Sequence, residues 1–424
     1  MPWNRLLTFL VLAVVSAVPP AVHAQLKAAP GDWPQWRGPD RTGVSTETGL
    51  LKKWPEGGPK LLWKATGLGG GYASPSVARG RIFLLGSKDN EEYLFALDVK
   101  DGHEIWSVKV GLVGKNRGPN YPGPRSTPTV DGNLLYALGS DGDLVCAEVA
   151  TGKFVWRRHL VKDFQGNRGV WAYAESPLID GDVLVITPGG PTHTMVTLNK
   201  KTGELLWKLE MEYGNGADYS SAIVVEAAGV KQYVQFLGPG VIGVSAKDGK
   251  LLWRYRKNVG GQSCMTPIFH DGCVFTSASG TEEGAGGDAL LRLEPSAEGI
   301  KATEVYLHRH VLNHHGGVVR VGDYLYGCGG SGLVCLDFKT GAVKWNERSI
   351  GRGSLIVADG HVYLRGERGA VALIEATPDG YKEKGRFQQP DRSKFPTFQH
   401  PVVAGGRLYL RDEGVLFCYD VKEK

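Results

Sequence analysis

Along most of this chain the apolar residues come in short runs, broken by Gly, Asp-Gly or Thr-Gly, with no long stripes at helical spacing. Runs of this kind, bounded by turn residues, predict short β-strands joined by tight hairpins. One phrase recurs: a strand ending in a small or acidic residue, an Asp/Thr-Gly turn, then a strand carrying Trp. It spans Asp98 to Trp106, Val149 to Trp156, Asn199 to Trp207, Ser245 to Trp253 and Asp337 to Trp345. Gly supplies the positive φ that such turns require. Upstream of these copies lies a second hairpin, as in SPSVARGRIFLLGS, STPTVDGNLLYALGS, SPLIDGDVLVITPG and HGGVVRVGDYLYGCG. The two hairpins make a unit of four short strands, repeating at the roughly 40–50 residues of a propeller blade.

Inner strands are predicted to begin at Ala73-Ser74, Ser126-Thr127, Glu175-Ser176, Ser220-Ser221, Met265-Thr266, His315-Gly316, Gly353-Ser354 and His400-Pro401, which makes eight blades. Two copies lose the Trp, near Val305-Tyr306 and near Lys384 to Phe387. The last repeat, HPVVAGGRLYLRDEGVLFCYDV, stops after three strands, and Leu61-Leu62-Trp63-Lys64 supplies a match for the missing fourth. Pairing the two ends in one blade closes the ring and removes two bare sheet edges. The expected fold is therefore all-β, an eight-bladed propeller over residues 58–424, and a closed ring of this kind is expected to be a monomer. Trp63, Trp106, Trp156, Trp207, Trp253 and Trp345 share one position on the outermost strand, and there they are expected to wedge between blades.

The phrase ALD-xx-(T/D)-G-xxx-W resembles the pyrroloquinoline-quinone (PQQ) repeat, and the resemblance runs from about residue 58 to the end. Quinoprotein alcohol dehydrogenases share that repeat, as does a propeller lipoprotein that assists outer-membrane protein assembly. The segments DWPQWRGPDRTGVS, NHHGGVVRVGDYLYG and YKEKGRFQQP also resemble a narrower group of exported bacterial PQQ-like propellers, some described as polyvinyl-alcohol dehydrogenase-like. The resemblance specifies the blade and not the cofactor. In the dehydrogenases a Ca²⁺ polarises the quinone, an Asp acts as base, and a pair of adjacent Cys often lies against the ring. This chain has no adjacent Cys pair; Glu175 is a loose match for a Ca²⁺ ligand, Asp218 for the base and Trp171 for a stacking platform.

The ends and the composition narrow the picture. Arg5, the apolar stretch Leu6 to Val18 and Val22-His23-Ala24 have the form of a signal peptide over residues 1–24, cleaved before Gln25. Export to a periplasm or the exterior is expected, and no later run approaches the ~20 apolar residues of a membrane span. Residues 25–57 are too few to form a core alone and are expected to lie across the propeller, burying Trp33 and Trp36. The net charge is +5 with no basic tract, so nucleic acid is excluded as a partner. Of the six Cys, Cys146, Cys335 and Cys418 fall where Ala96 stands in LFALD, a slot for a small buried side chain. A bridge among Cys264, Cys273 and Cys328 stays open.

Loop lengths separate two faces. Tight turns such as Ala78-Arg79-Gly80, Asp131-Gly132 and Asp359-Gly360 mark one; long connections from Lys109 to Arg125, His159 to Ala174 and Gln388 to Gln399 mark the other. Long loops on a rigid scaffold are where binding residues collect. Their ends are expected to bring together a ligand-binding funnel of Arg125, Trp171, Tyr173, Glu175, Asp218, Tyr219, Gln262, His314, His315, Arg352 and His400. Glu175, Asp218, His314, His315 and His400 are the candidates for catalysis. His308, His310, His314 and His315 cluster without regular ligand spacing, and there is no Ca²⁺ loop, so no metal site is expected. Three functions fit: a binding or scaffold module for a protein, peptide or glycan; a dehydrogenase using PQQ with Ca²⁺; and a polysaccharide lyase or hydrolase using His314, His315 or His400 with Tyr219.

Overall fold

The computed structural model describes residues 28–423 apart from 117–120, 213–215, 260–262, 281–285, 298 and 331. The expected signal peptide, residues 1–24, lies outside the described residues. The repeats form eight antiparallel sheets, each built in chain order from an inner to an outer strand. We number the blades one to eight: 76–112, 129–159, 178–209, 223–255, 268–308, 318–347, 353–388 and 402–420. Blade eight takes its outer strand from the other end of the chain. Lys60–Ala65 pairs antiparallel with Val415–Asp420, setting Trp63 opposite Cys418. The ring is thus closed by the strand that the incomplete last repeat required.

The structure gives the recurring Gly and Trp one shared physical cause. Gly102 of blade one has φ 77°, and a Cβ there would sit 2.7 Å from the Trp63 indole of blade eight. The same arrangement recurs from blade to blade, Trp106 over Gly152, Trp156 over Gly203 and Trp207 over Gly249. The turn demands a residue tolerant of positive φ, and the preceding blade's indole occupies the space that any side chain would need. Each indole Nε1 donates to a carbonyl of the next blade: Trp63 to Val99 at 3.3 Å, Trp106 to Val149 at 3.2 Å, Trp156 to Lys200 at 2.9 Å and Trp345 to Thr377 at 2.8 Å. Trp253 differs; its Nε1 bonds within its own blade, donating to Gln232 Oε1 at 2.6 Å. In blade five Tyr306 stands in for the lost Trp and donates to Phe338 O at 3.0 Å.

Residues 33–45 contact the inner edges of blades one, two, three, six and seven. Trp33 exchanges backbone hydrogen bonds with Val77 on the inner edge of blade one, and Val130 N of blade two donates to Pro34 O at 2.8 Å. Val44–Ser45 then pairs in parallel with the inner strand Gly353–Ala358 of blade seven. Between these points Arg37 and Arg41 are 3% and 4% exposed. Arg37 donates to Val318 O at 2.5 Å, and Arg41 to Ser176 O and Pro177 O at 2.8 and 3.0 Å. Burial pulls both guanidinium groups down to about 10, so they stay charged at neutral pH and donate to the backbone carbonyls that face them.

Further along the segment, Trp54 replaces what blade seven lacks. Gly385 holds the Trp position of that blade, opposite Leu373, and a Cβ there would lie 2.7 Å from the Trp54 Cβ. Trp54 is 3% exposed and packs edge-on against Tyr363 and Phe387. Trp33 is buried as expected. Trp36 is not; it stays half-buried. Its Nε1 donates to Thr266 Oγ1 at 2.8 Å, which turns the ring toward the opposite face.

Candidate functional site

On the face of the long connections, the ends of those connections enclose a cavity of about 520 Å³ with Trp36 and His400 among its lining residues. Every inter-blade connection contributes a lining residue, including Tyr72, Tyr121, Trp171, Tyr219, Cys264, His314, Arg352 and Phe398. The rings form a continuous wall. Tyr121 lies 5.8 Å from Trp171 and 5.7 Å from Phe398, Tyr72 lies 5.2 Å from Phe398, and His315 lies 4.6 Å from Phe398. Tyr219 Oη accepts from the Trp171 backbone N–H at 3.1 Å, which fixes the loop carrying that indole.

Two guanidinium groups face this wall with different commitments. Arg352 is forked onto Glu367, Nε to Oε1 at 2.6 Å and Nη2 to Oε2 at 3.1 Å. Arg125 is held by carbonyls alone, Gly123 O at 2.9 Å and Tyr121 O at 2.5 Å, and lies over the Tyr72 ring at 5.4 Å. No carboxylate among the described residues pairs with it. Burial pulls Arg125 below its usual value, and Tyr72, Tyr219 and Glu92 beside it oppose that; an arginine side chain stays charged in proteins.

The predicted funnel residues fall into two sets. Arg125, Trp171, Tyr219, His314, His315, Arg352 and His400 line the cavity. Tyr173, Glu175 and Asp218 stand behind its wall. Tyr173 is fully buried, with its hydroxyl donating to Pro188 O at 2.9 Å. Glu175 is 1% exposed and accepts from Thr187 N at 2.7 Å and Gln235 Nε2 at 3.1 Å. Burial pushes its carboxyl up to about 7. Asp218 accepts from Ser263 N at 3.2 Å, and burial raises it to about 6. Gln262 lies outside the described residues. His308 stacks on Tyr306 at 4.9 Å and His310 tilts onto His308, which separates both from the cavity.

Sequence reasoning missed Tyr72, Tyr121, Phe398, Cys264 and Glu367. The first four sit in inter-blade connections, and the aromatic residues Tyr72, Tyr121 and Phe398 among them were a readable signal. Glu367 comes from the turn after the second strand of blade seven, which no repeat logic marks as facing the funnel. All six Cys are free. Cys146, Cys335 and Cys418 occupy the slot of Ala96, each opposite the blade Trp. No bridge joins Cys264, Cys273 and Cys328.

The histidines are arranged against acid–base work. His400 is 4% exposed and its Nε2 lies 3.1 Å from His315 O. Burial, reinforced by the Arg37 cation, pulls it down to about 3, so it is neutral at any physiological pH. Burial also holds His315 well below its usual range, with His314 and His400 adding to the effect. A Ca²⁺-assisted quinone is likewise ill-matched. Ca²⁺ takes six to eight oxygen ligands, whereas Glu367 is the one carboxylate lining the cavity among the described residues, and Arg352 already holds it. Glu175 and Asp218 turn their carboxyls to backbone donors instead.

Eight four-stranded blades, with an aromatic funnel on the long-loop face, define an eight-bladed β-propeller by architecture. The repeat and the comparisons make this chain similar to the PQQ-like propellers. The family model described as outer membrane protein assembly factor BamB matches residues 116–286. Quinoprotein alcohol dehydrogenase PedH of Pseudomonas putida is 27% identical over 142 residues, which are 32% of this chain and 22% of that protein. The chain thus matches about a fifth of the length of its curated relatives. Among solved structures, BamB from Moraxella catarrhalis is similar with a TM-score of 0.56 at 13% identity, covering 83% of this chain and 95% of that one. Quinohemoprotein alcohol dehydrogenase from Comamonas testosteroni gives 0.52 at 13% identity, covering 94% and 82%. At these identities the structural likeness speaks for the fold alone.

Proposed function

We propose that this protein is an exported binding module whose funnel holds a ring-bearing carboxylate, an acidic sugar in the first instance. The observation that carries the reading is Arg125, a cation without a carboxylate partner among the described residues, set in a wall of Tyr72, Tyr121, Trp171 and Phe398. Ring faces bury well against aromatic side chains, and a buried guanidinium strongly favours an anionic partner. The volume of about 520 Å³ lies within the range of small-molecule sites. Export rests on the leader-like Leu6 to Val18 stretch; no helix among the described residues is long and apolar enough to cross a membrane.

The test is intrinsic tryptophan fluorescence during titration with short galacturonate oligomers. Trp36 and Trp171 line the cavity, so saturable quenching is expected, and it should be lost in a Trp36→Phe, Trp171→Phe double variant. A flat titration would sink the reading. Tight one-to-one binding of PQQ that depends on Ca²⁺ would return the dehydrogenase reading in its place.

A further inference from the structure

The side of the funnel opposite Arg125's carbonyl anchors carries a second kind of chemistry. His314 Nδ1 and His315 Nδ1 lie 2.9 Å apart, and Glu367 Oε1 lies 3.6 Å from His315 Nδ1. These three donor atoms fall within 4.8 Å of one another, and all three residues line the cavity. Two donors each ~2.1 Å from one ion sit about 3.0 Å apart at a right angle and about 3.4 Å apart at the tetrahedral angle. The observed separations bracket those values.

From this geometry we propose that His314, His315 and Glu367 form a binding site for a divalent transition-metal ion such as Zn²⁺, with its remaining coordination positions open to the funnel. Two imidazoles and one carboxylate suit zinc-like ions far better than Ca²⁺ or Mg²⁺, which favour oxygen. Phe398, 4.6 Å from His315 and 6.5 Å from His314, braces the pair. No ligand spacing is readable along the chain because the third ligand arrives from a different blade.

Arg352 is the competitor. Its guanidinium occupies Glu367 in the metal-free state, and its positive charge opposes any cation beside it. The side chain is 45% exposed, so it can swing into solvent when a metal takes the carboxylate. Removing this arginine should therefore tighten metal binding, whereas a purely structural Arg352–Glu367 pair gives no such gain. A second group, Asp141, Asp143 and His159, has comparable spacing but does not line the funnel, and its carboxylates are held by Arg168 and Arg157. The metal site stands independently of the acidic-sugar reading.

The experiment is calorimetric titration of tag-free, full-length mature protein with Zn²⁺. One ion per chain is expected, with affinity lowered at least ~10-fold in His314→Ala and in Glu367→Gln. Arg352→Gln should bind more tightly than wild type, and His159→Ala should match it. If the histidine variants do not fold, the visible absorption of Co²⁺ bound to wild-type protein reports ligand number instead; a weak six-coordinate, water-like spectrum would overturn the proposal. Absence of saturable binding, wild-type affinity in His314→Ala, or weaker binding in Arg352→Gln would each overturn it as well.

Discussion

At the scale of single residues, the funnel is defined by which ionisable groups keep their charge. Arg125 keeps it and faces the cavity, whereas Glu175 is buried behind the wall with its carboxyl raised from 4.5 to about 7. The fold therefore binds that proton more tightly than the unfolded chain does. The stabilisation is fully present below about pH 4.5 and is lost as pH rises through 7. Glu175→Gln should remove that part of the dependence, so melting temperature should fall less between pH 5 and pH 8 than in wild type. An unchanged slope would mean that other buried carboxyls, Glu92 raised to about 7 and Asp218 to about 6, carry the effect. Neutral His400 works in the other direction. Its value near 3 means that stability is lost as pH falls below its ordinary 6.5.

At the scale of elements, the N-terminal segment acts as an internal part of the ring. Its Trp54 fills the blade-seven position where the chain's own repeat carries Gly385. Truncating a buried Trp costs about 3–5 kcal/mol. Trp54→Ala should lower the melting temperature markedly, while Trp36→Phe, on the half-buried apex ring, should do so far less. Equal effects would contradict the assignment. The loss of Trp near Lys384 was legible in the sequence, but nothing in a linear pattern says that Trp54, hundreds of positions away, supplies the missing ring. The inward placement of Arg37 and Arg41 was equally hidden. A charged pair reads as solvated in sequence, and only the backbone carbonyls of Val318, Ser176 and Pro177 explain their burial.

At the scale of the whole molecule, the eight-blade count and the closure by Lys60–Ala65 were readable because several repeats carry a Gly turn and a Trp that covers the Gly turn of the next blade. The funnel was legible only in part. The connections revealed Arg125, Trp171 and His314, yet Glu175 sits at the start of an inner strand, where orientation toward cavity or wall depends on packing that the repeat does not encode. Closure predicts its own test. Deleting residues 60–65 leaves Val415–Asp420 as a bare edge, and size-exclusion chromatography should then show association; a well-behaved monomer would contradict the role of that strand.

The most direct test of the account is calorimetric titration with trigalacturonate and, in parallel, the neutral trisaccharide maltotriose, on wild-type protein and on Arg125→Ala. The account predicts that the acid binds, that salt weakens it, that the neutral sugar binds poorly, and that Arg125→Ala costs at least ~10-fold in affinity. Equal binding of both sugars, or full affinity in Arg125→Ala, would contradict it.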